Sequence, residues 1–354
     1  MSATAAAPTT GWTALADLPL RVDGYALEAL HRRVTEDYTR LTTVVHLRGE
    51  GTDGVGEDTT YAPPDQHGFR AAGAVLPLAG AWTLRSFSAH LDGLDLFPTG
   101  PTYAGFRPFR RWAFESAALD LALRQCGLSL AAALGRAARP LTFVHSPAPG
   151  TPVTEVRARL ARYPGLRLKV APSADWDDAT VVALAATGAV VVVDLKGQYP
   201  EGTPVRLAPD ADLYGRVLRA FPDAWIEDPG VDARTAPVLR DHWGRITWDA
   251  PIGSVADIAA RSPRPRMLNM KPSRFGTVRA VLEAYAHCAG EGIGLYGGGQ
   301  VELGPGRAQA QLLAALYHPD APNDLAPSTY NDRTLPPGLP SSPLPAPAPR
   351  PGFG

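Results

Sequence analysis

The sequence predicts an α/β fold in which a closed βα barrel follows a small α+β domain. Seven short apolar segments between residues 141 and 297 alternate with segments of helical period, roughly 20 to 35 residues apart. So many strand-helix units in one run favour a barrel over the alternative, an open doubly wound sheet. No glycine-rich phosphate fingerprint follows an early strand, which also favours the barrel.

The residues before the barrel mix helical and extended patterns. Residues 26–34 ("ALEALHRRV") resemble a helix, and the alternating run at 41–61 predicts two strands joined by a glycine-rich turn. A helix follows near residues 111–126, where apolar or small side chains share one face until Gly127 ends it. Residues 51–68 are either a surface turn or a lid over a substrate.

Composition divides the 354 residues into four parts. We expect an N-terminal extension (1–20), an α+β domain (21–135), the barrel (136–330) and a tail (334–354). Residues 319–333 form an eighth short strand or return to the first domain. The tail is rich in proline and poor in apolar residues, so it is predicted to be disordered.

The barrel strands are short and apolar, and each precedes a helical or turn segment. In chain order they are "LTFVH" (141–145), "LRLKV" (166–170), "AVVVVDL" (189–195), "AWIED" (224–228), "RITWD" (245–249), "RMLNMK" (266–271) and "IGLYG" (293–297).

Charge and composition exclude several classes of partner. The formal net charge is −1 with acids and bases interspersed, so no basic stripe serves a nucleic acid. The N-terminus lacks the pattern of a signal peptide, and no uncharged apolar run reaches about 18 residues. Cys126 and Cys288 lie far apart and predict no disulfide. We therefore expect a cytoplasmic protein without nucleic-acid or membrane partners. A homo-oligomer is a separate expectation.

The last residues of consecutive barrel strands carry charge. Three consecutive strands end in a carboxylate and the strands on either side end in a lysine, at the end of a barrel where active sites lie. Three converging carboxylates repel one another unless a cation neutralises them, and oxygen-only ligands suit Mg²⁺. The residues are Lys169, Asp194, Glu227, Asp249 and Lys271.

These motifs resemble those of the enolase superfamily, in particular its mandelate racemase/muconate-lactonizing subgroup. The resemblance rests on "LRLKV", "VVVDLKG", "WIEDPG", "TWDAP", "NMKPSRFG" and "YGGGQVELGPGRA", and covers roughly residues 20–330. It implies a modified (β/α)7β TIM-like barrel with an N-terminal α+β capping domain. It also implies Mg²⁺, with Mn²⁺ as an alternative ion, and a base that removes the proton next to a substrate carboxylate to give an enolate.

The resemblance assigns roles to the strand-end residues. Asp194, Glu227 and Asp249 are implied metal ligands, and Lys169 and Lys271 are implied to flank the substrate on opposite faces. Desolvation and a nearby divalent ion lower the pKa of a lysine, which suits it to act as a general base. One lysine then removes the proton, and the other returns it or supplies charge.

Two positions depart from the family pattern, and a third has a variable role. Arg167 replaces the first lysine of a Lys-x-Lys pair, so it can only orient or pair. Lys196 stands where asparagine is usual, and it either pairs with Asp228 or another acid or alters the pocket. Glu302, after the glycines at 297–299, matches a family acid and is a candidate substrate-orienting residue.

The sequence leaves several reactions open. Two lysines on opposite faces favour a racemase or epimerase acting on an N-acyl amino acid, a dipeptide or a related carboxylate. An o-succinylbenzoate synthase-like dehydratase and a cycloisomerase use the same machinery. A non-catalytic scaffold with this fold is the alternative from another class.

Overall fold

The first part of the chain forms antiparallel sheets with helices packed against them. The computed structural model describes residues 11–34, 38–173, 176–201, 203, 205–332 and 335–354. Three strands pair in the order β2-β3-β4, and β1 pairs with β5. The elements are α1 (Gly11–Leu15), β1 (Pro19–Val22), β2 (Gly24–Arg33), β3 (Thr39–Gly49), β4 (Thr52–Asp58), α2 (Pro63–Ala72), β5 (Gly80–Thr83), α3 (Leu84–Asp92), α4 (Arg107–Gln125) and α5 (Leu130–Ala133).

The helix predicted for residues 26–34 is not present, because residues 26–33 belong to strand β2. Strand β2 pairs with β3 in an antiparallel register along its whole length, from Gly24 to Arg33. The ladder hydrogen bonds of a long hairpin outweigh the modest helix propensity of leucine, alanine and glutamate. Residues 51–68 are also regular structure rather than a turn, since they contain β4 and the start of α2.

Helix α4 packs closely on strand β4. A Cβ atom added to Gly56 would lie 2.0 Å from the carbonyl oxygen of Ala113, and one added to Gly54 would lie 2.3 Å from the backbone nitrogen of Leu121. Glycine at both positions lets the strand and helix backbones approach each other. The buried helix α4 thereby packs against strand β4 of the first domain.

The second part of the chain is a seven-stranded parallel sheet with helices between its strands, as predicted. The strand order β6 to β12 follows the chain without interruption. The elements are β6 (Val144–His145), α6 (Val153–Arg162), β7 (Arg167–Val170), α7 (Asp178–Ala185), β8 (Val190–Asp194), α8 (Ala211–Ala220), β9 (Trp225–Glu227), α9 (Thr235–Leu239), β10 (Ile246–Trp248), α10 (Val255–Ala259), β11 (Met267–Met270), α11 (Pro272–Phe275), α12 (Val278–Glu291), β12 (Gly294–Gly297) and α13 (Pro305–Tyr317).

Residues 323–324 connect the two edges of this curled sheet. Asn323 forms a parallel bridge with Phe143 beside β6, and Asp324 forms one with Gly298 beside β12. The segment therefore lies where an eighth strand of a barrel would lie. Beyond it, the backbone oxygen of Ser328 accepts a hydrogen bond of 2.7 Å from Arg32, so the chain also contacts the first domain.

The proline-rich tail packs on the body, which corrects the prediction of disorder for residues 335–354; residues 333–334 lie outside the described residues. Phe353 is 1% exposed and makes an edge contact with Trp112 of α4. Leu344 exchanges two backbone hydrogen bonds with Leu141, of 2.8 and 2.9 Å. A few anchoring contacts of this kind order a segment that is rich in proline and contains few large apolar residues.

Three further features of the structure bear on the sequence predictions: the start of the chain, the two cysteines and the character of the helices. Residues 1–10 of the predicted extension lie outside the described residues, whereas Trp12 and Leu15 of α1 are buried in the core. Cys126 and Cys288 are both free thiols. Within the described part of the chain, no helix has the length and apolar character needed to cross a membrane.

Candidate active site

The five charged strand-end residues meet inside the carboxyl end of the parallel sheet. Strands β8 and β9 place Asp194 and Glu227 side by side in register, and Asp249 and Lys271 follow directly after β10 and β11. Lys169 comes from β7, on the other side of the acids. All five residues are at most 7% exposed, so each charge depends on a partner within the protein.

Glu227 is held from three sides. The Lys169 Nζ lies 2.5 Å from Glu227 Oε1 and 3.5 Å from Asp194 Oδ2. The Tyr296 hydroxyl and the Asn269 amide donate to Glu227 Oε2, the latter at 3.3 Å. Glu227 is thus fixed at the centre of the cluster, between the lysine and the neighbouring acids.

Asp249 binds two cations. The Lys271 Nζ lies 2.8 Å from its Oδ2, and the Arg274 Nη1 lies 2.8 Å from its Oδ1. Arg274 was not among the residues predicted from the sequence, although it lies within the motif "NMKPSRFG", three residues after Lys271. Because α11 begins directly after Lys271, this spacing brings both side chains back to the same carboxylate.

Asp194 is bound by Lys196. The Lys196 backbone N–H donates to Asp194 Oδ1 at 3.1 Å, and its ammonium contacts Oδ2. The backbone of Lys196 is left-handed, with φ of 53°, which turns the side chain back over the strand end. The expectation that Lys196 pairs with an acid is therefore met by Asp194 rather than by Asp228.

Asp228 supports the site from behind. Its two carboxylate oxygens accept hydrogen bonds of 2.8 Å from the backbone N–H groups of Asp249 and Ala250. A left-handed backbone, with φ of 50°, aims the Asp228 side chain at the next strand. Asp228 thereby fixes the position of Asp249 instead of facing the lysines.

Asp324 is a further acid of the site that was not predicted from the sequence. It lies 3.5 Å from the Lys169 Nζ and accepts a hydrogen bond of 2.7 Å from the Ser146 hydroxyl. The signal was its place on the eighth segment, where a strand-end acid would join the others. Burial opposes the ionised form, but Lys169 and Ser146 outweigh it and lower the Asp324 pKa.

The pKa values of the carboxyl groups show that the lysine side chains do not stabilise all of the acids equally. Burial raises the Glu227 pKa to about 8 against the effect of Lys169, and burial with neighbouring acids raises that of Asp228 to about 7. Burial also acts on Asp194, but Lys196 and Lys169 outweigh it and lower its pKa to about 2.

Lys169 is held as an ammonium ion by the acids around it. Desolvation lowers its pKa, but Glu227, Asp194 and Asp324 together raise the pKa well above its usual value. The expected lowering of the lysine pKa is therefore not present while these carboxylates face it directly. A base function at Lys169 requires that another cation take over their charge.

The structure does not bring Arg167 into the site. Its exposed side chain donates a hydrogen bond of 2.7 Å to the carbonyl of Gly188, just before β8 begins. Arg167 opens strand β7, and two residues of strand separate it from Lys169 by about 6 to 7 Å. In this arrangement the Arg167 side chain bonds the backbone before β8, and its orienting role toward a substrate stays a prediction.

Glu302 lies in a loop that the first domain holds in place. It pairs with Arg307 at 2.9 Å and accepts a hydrogen bond of 2.6 Å from the Gln300 backbone. The Glu57 carboxylate of β4 accepts hydrogen bonds from the backbone of Leu303, Gly304 and Gly306. This loop joins the two domains beside the site, and Glu302 is paired with Arg307 rather than with the lysines.

Gly298 allows close packing next to Lys271. A Cβ atom at Gly298 would lie 2.6 Å from Lys271 Cε and 2.3 Å from Asn269 Oδ1. Gly298 therefore does more than turn the chain, because it lets the backbone approach a predicted catalytic side chain.

The donor set of the site suits a hard divalent cation. Asp194, Glu227 and Asp249 supply only oxygen atoms, and burial together with neighbouring acids keeps the Glu227 pKa high despite Lys169. In this structure, lysine and arginine side chains form ion pairs with all three carboxylates. Among the described residues, no three acids, histidines or cysteines stand close enough together to hold an ion without rearrangement.

Comparison with known families identifies both domains. The model of the N-terminal domain of DUF8230, a domain of unknown function, matches residues 13–133, and that of the C-terminal domain matches residues 137–332. The chain belongs to the DUF8230 family. Its DUF8230 domains together form the antiparallel sheet domain and the parallel barrel sheet described above.

Solved structures show that this DUF8230 protein has the enolase-superfamily fold, as the motifs predicted. A muconate cycloisomerase from Pseudomonas fluorescens superposes with a TM-score of 0.69 at 20% identity, over 95% of this chain and 96% of the other. A dipeptide epimerase from Methylococcus capsulatus, complexed with Mg, superposes with a TM-score of 0.65 at 23% identity, over 86% and 90%.

Two curated relatives match by sequence. They are o-succinylbenzoate synthases from Geobacillus stearothermophilus and Geobacillus kaustophilus, each 27% identical over 226 residues. The match covers 62% of this DUF8230 chain and 59% of each relative, so it spans little more than half of those enzymes.

Proposed function

We propose that this protein is an enzyme that removes the proton α to a substrate carboxylate and forms an enolate. Lys169 and Lys271 are the acid–base pair, and Asp194, Glu227 and Asp249 are the ligands of Mg²⁺ or Mn²⁺. The observation that carries the proposal is that two buried lysines flank three buried carboxylates at the ends of neighbouring strands. The favoured outcome is racemisation or epimerisation of an N-acyl amino acid, a dipeptide or a related carboxylate.

The strand order supports the acid–base roles. Lys169 comes from β7 and Lys271 follows β11, with the three acid-bearing strands between them. A substrate carbon placed between the two lysines presents one face to each amine. In one direction Lys169 takes the proton and Lys271 donates one, and in the other direction the roles exchange.

The remaining residues orient these groups. Arg274 anchors Asp249, Asp228 fixes the backbone that carries it, and Tyr296 holds Glu227. When bound by the three carboxylates, a divalent cation would neutralise their charge and supply positive charge to the developing enolate. The burial of Lys169 opposes its ammonium form, which favours the neutral base form once the acids no longer pair with it.

The second candidate reaction is β-elimination of water of the o-succinylbenzoate synthase kind. The curated relatives favour it, because both are o-succinylbenzoate synthases at 27% identity. This reaction needs one lysine as base, while the other contributes only its charge. The two candidates therefore share the first step and differ in what the second lysine does.

Deuterium exchange tests the shared step without knowledge of the physiological substrate. N-acyl amino acids, dipeptides and hydroxy acids are incubated with the Mg²⁺-loaded enzyme in D₂O and examined by proton NMR for label at the α-carbon. Once a responsive compound is found, Lys169→Ala and Lys271→Ala are compared. Loss of racemisation in both variants, with exchange of one enantiomer surviving in one of them, supports the two-base reaction.

A different pattern supports elimination or refutes both reactions. If one variant loses all exchange and the other keeps a slowed reaction on the same face, a single lysine is the base. Arg167→Ala is the matched control, because its side chain lies away from the site, and it should keep full exchange. Full exchange in the double variant Lys169→Ala/Lys271→Ala would contradict the assignment of both lysines.

The scaffold alternative predicts neither exchange nor Mg²⁺ binding. Isothermal titration with Mg²⁺ distinguishes a scaffold from an enzyme whose substrate is absent from the compounds tested. Such an enzyme still binds the metal ion, whereas the scaffold does not. A cytoplasmic location and assembly into a homo-oligomer are also part of the proposal. Light scattering of the purified chain measures the assembly state.

A further inference from the structure

Lysine is rare in this protein and is concentrated in the site. The sequence has only three lysines among its 34 lysine and arginine residues: Lys169, Lys196 and Lys271. Two of them are the proposed acid–base pair, and the third binds Asp194. A chain that uses arginine at all other basic positions retains lysine where a compact ammonium group on a flexible stem is needed.

Lys196 takes up both oxygens of one proposed metal ligand. Its backbone N–H and its ammonium contact the two oxygens of Asp194. The side chain is 23% exposed, whereas those of Lys169 and Lys271 are 6% and 8% exposed. Lys196 is therefore the most exposed of the three lysines and the one with the most freedom to leave its carboxylate.

We propose that Lys196 is a built-in counter-ion of Asp194 that competes with the divalent cation and sets the metal affinity of the site. This inference rests on the proposed function, because it needs Asp194 to be a metal ligand. A cation that binds Asp194 displaces the Lys196 ammonium, which then lies beside a second positive charge. The displaced ammonium lowers the affinity, and its removal raises it.

The charge of the cluster gives the direction of the effect. Among the described residues, the cluster contains five acids and four bases, which leaves one negative charge when all are ionised. The acids are Asp194, Glu227, Asp228, Asp249 and Asp324, and the bases are Lys169, Lys196, Lys271 and Arg274. Without the Lys196 charge the cluster carries two negative charges, which a divalent cation balances.

Titration calorimetry of the chelator-treated full chain with Mg²⁺ tests the inference. Lys196→Met removes the charge while keeping a side chain of similar length, and Lys196→Asn is a second uncharged variant. Both should bind Mg²⁺ at least about tenfold more tightly than the parent protein. Lys196→Arg is the matched control that keeps the charge and should stay close to the parent affinity.

The outcomes separate this inference from the proposed function. Unchanged or weaker Mg²⁺ affinity in both uncharged variants, with binding lost in Asp194→Asn, overturns the role of Lys196 and leaves the metal assignment standing. Binding that appears only in the uncharged variants supports the inference in its strongest form. Absence of binding in the parent and in both uncharged variants overturns the inference and the metal assignment together. Circular dichroism of each variant checks that it is folded.

Discussion

Truncation of Phe353 should destabilise the whole protein, because the tail is packed rather than free. Phe353 is 1% exposed, contacts Trp112 and donates its N–H to Asp120 at 2.7 Å. Phe353→Ala keeps the backbone hydrogen bond and removes the ring, which costs about 3–5 kcal/mol for a buried phenylalanine. An unfolding entropy of about 2.1 cal/mol/K per residue over 354 residues converts this loss to a drop in Tm of about 4–7 °C.

Differential scanning calorimetry measures this change directly. Phe353→Leu should lose less than half as much, because it keeps most of the buried volume. Arg350→Ala, at an exposed position of the same tail, should leave the Tm within about 1 °C. Deletion of residues 335–354 should lower the Tm at least as far as Phe353→Ala. A Tm unchanged in both the deletion and the alanine variant would show that the tail does not pack in solution.

Three further predictions follow from the site and the core. Asp194→Asn and Glu227→Gln should weaken Mg²⁺ binding and reduce α-proton exchange by at least about 100-fold with the fold intact, and exchange that persists in excess chelator would contradict the metal assignment. Burial lowers the His318 pKa to about 4, below the unfolded value of about 6.5. The stability that the neutral histidine contributes is therefore complete above pH 6.5 and is lost as the pH falls toward 4. The free energy of unfolding, measured by urea denaturation, should therefore fall between pH 7 and pH 5 by about 2 kcal/mol less in His318→Gln than in the parent protein. An equal fall in the two proteins would refute a neutral buried histidine. Arg167→Lys should change neither Mg²⁺ affinity nor exchange, since Arg167 bonds Gly188 away from the acids, and a change in either measurement would return it to the site.

Most of the barrel could be predicted because its strands are short apolar segments with clear boundaries. Strands β8 to β11 each end at, or directly before, a charged residue, so Asp194, Glu227 and Lys271 were found from local sequence alone. The first domain was harder, since residues 26–34 consist of residues that are common in helices. Their pairing with β3 depends on a hairpin partner, which propensity does not describe.

The sequence by itself determined the fold class and the chemical types of residue at the strand ends, because both follow from periodicity and strand length. Only the tertiary structure decided which charges meet. Lys196 binds Asp194 because of its left-handed backbone, Arg274 reaches Asp249 because α11 begins after Lys271, and Phe353 is buried because α4 offers it a partner. Such contacts join residues from separate elements or depend on backbone angles, so no local pattern encodes them.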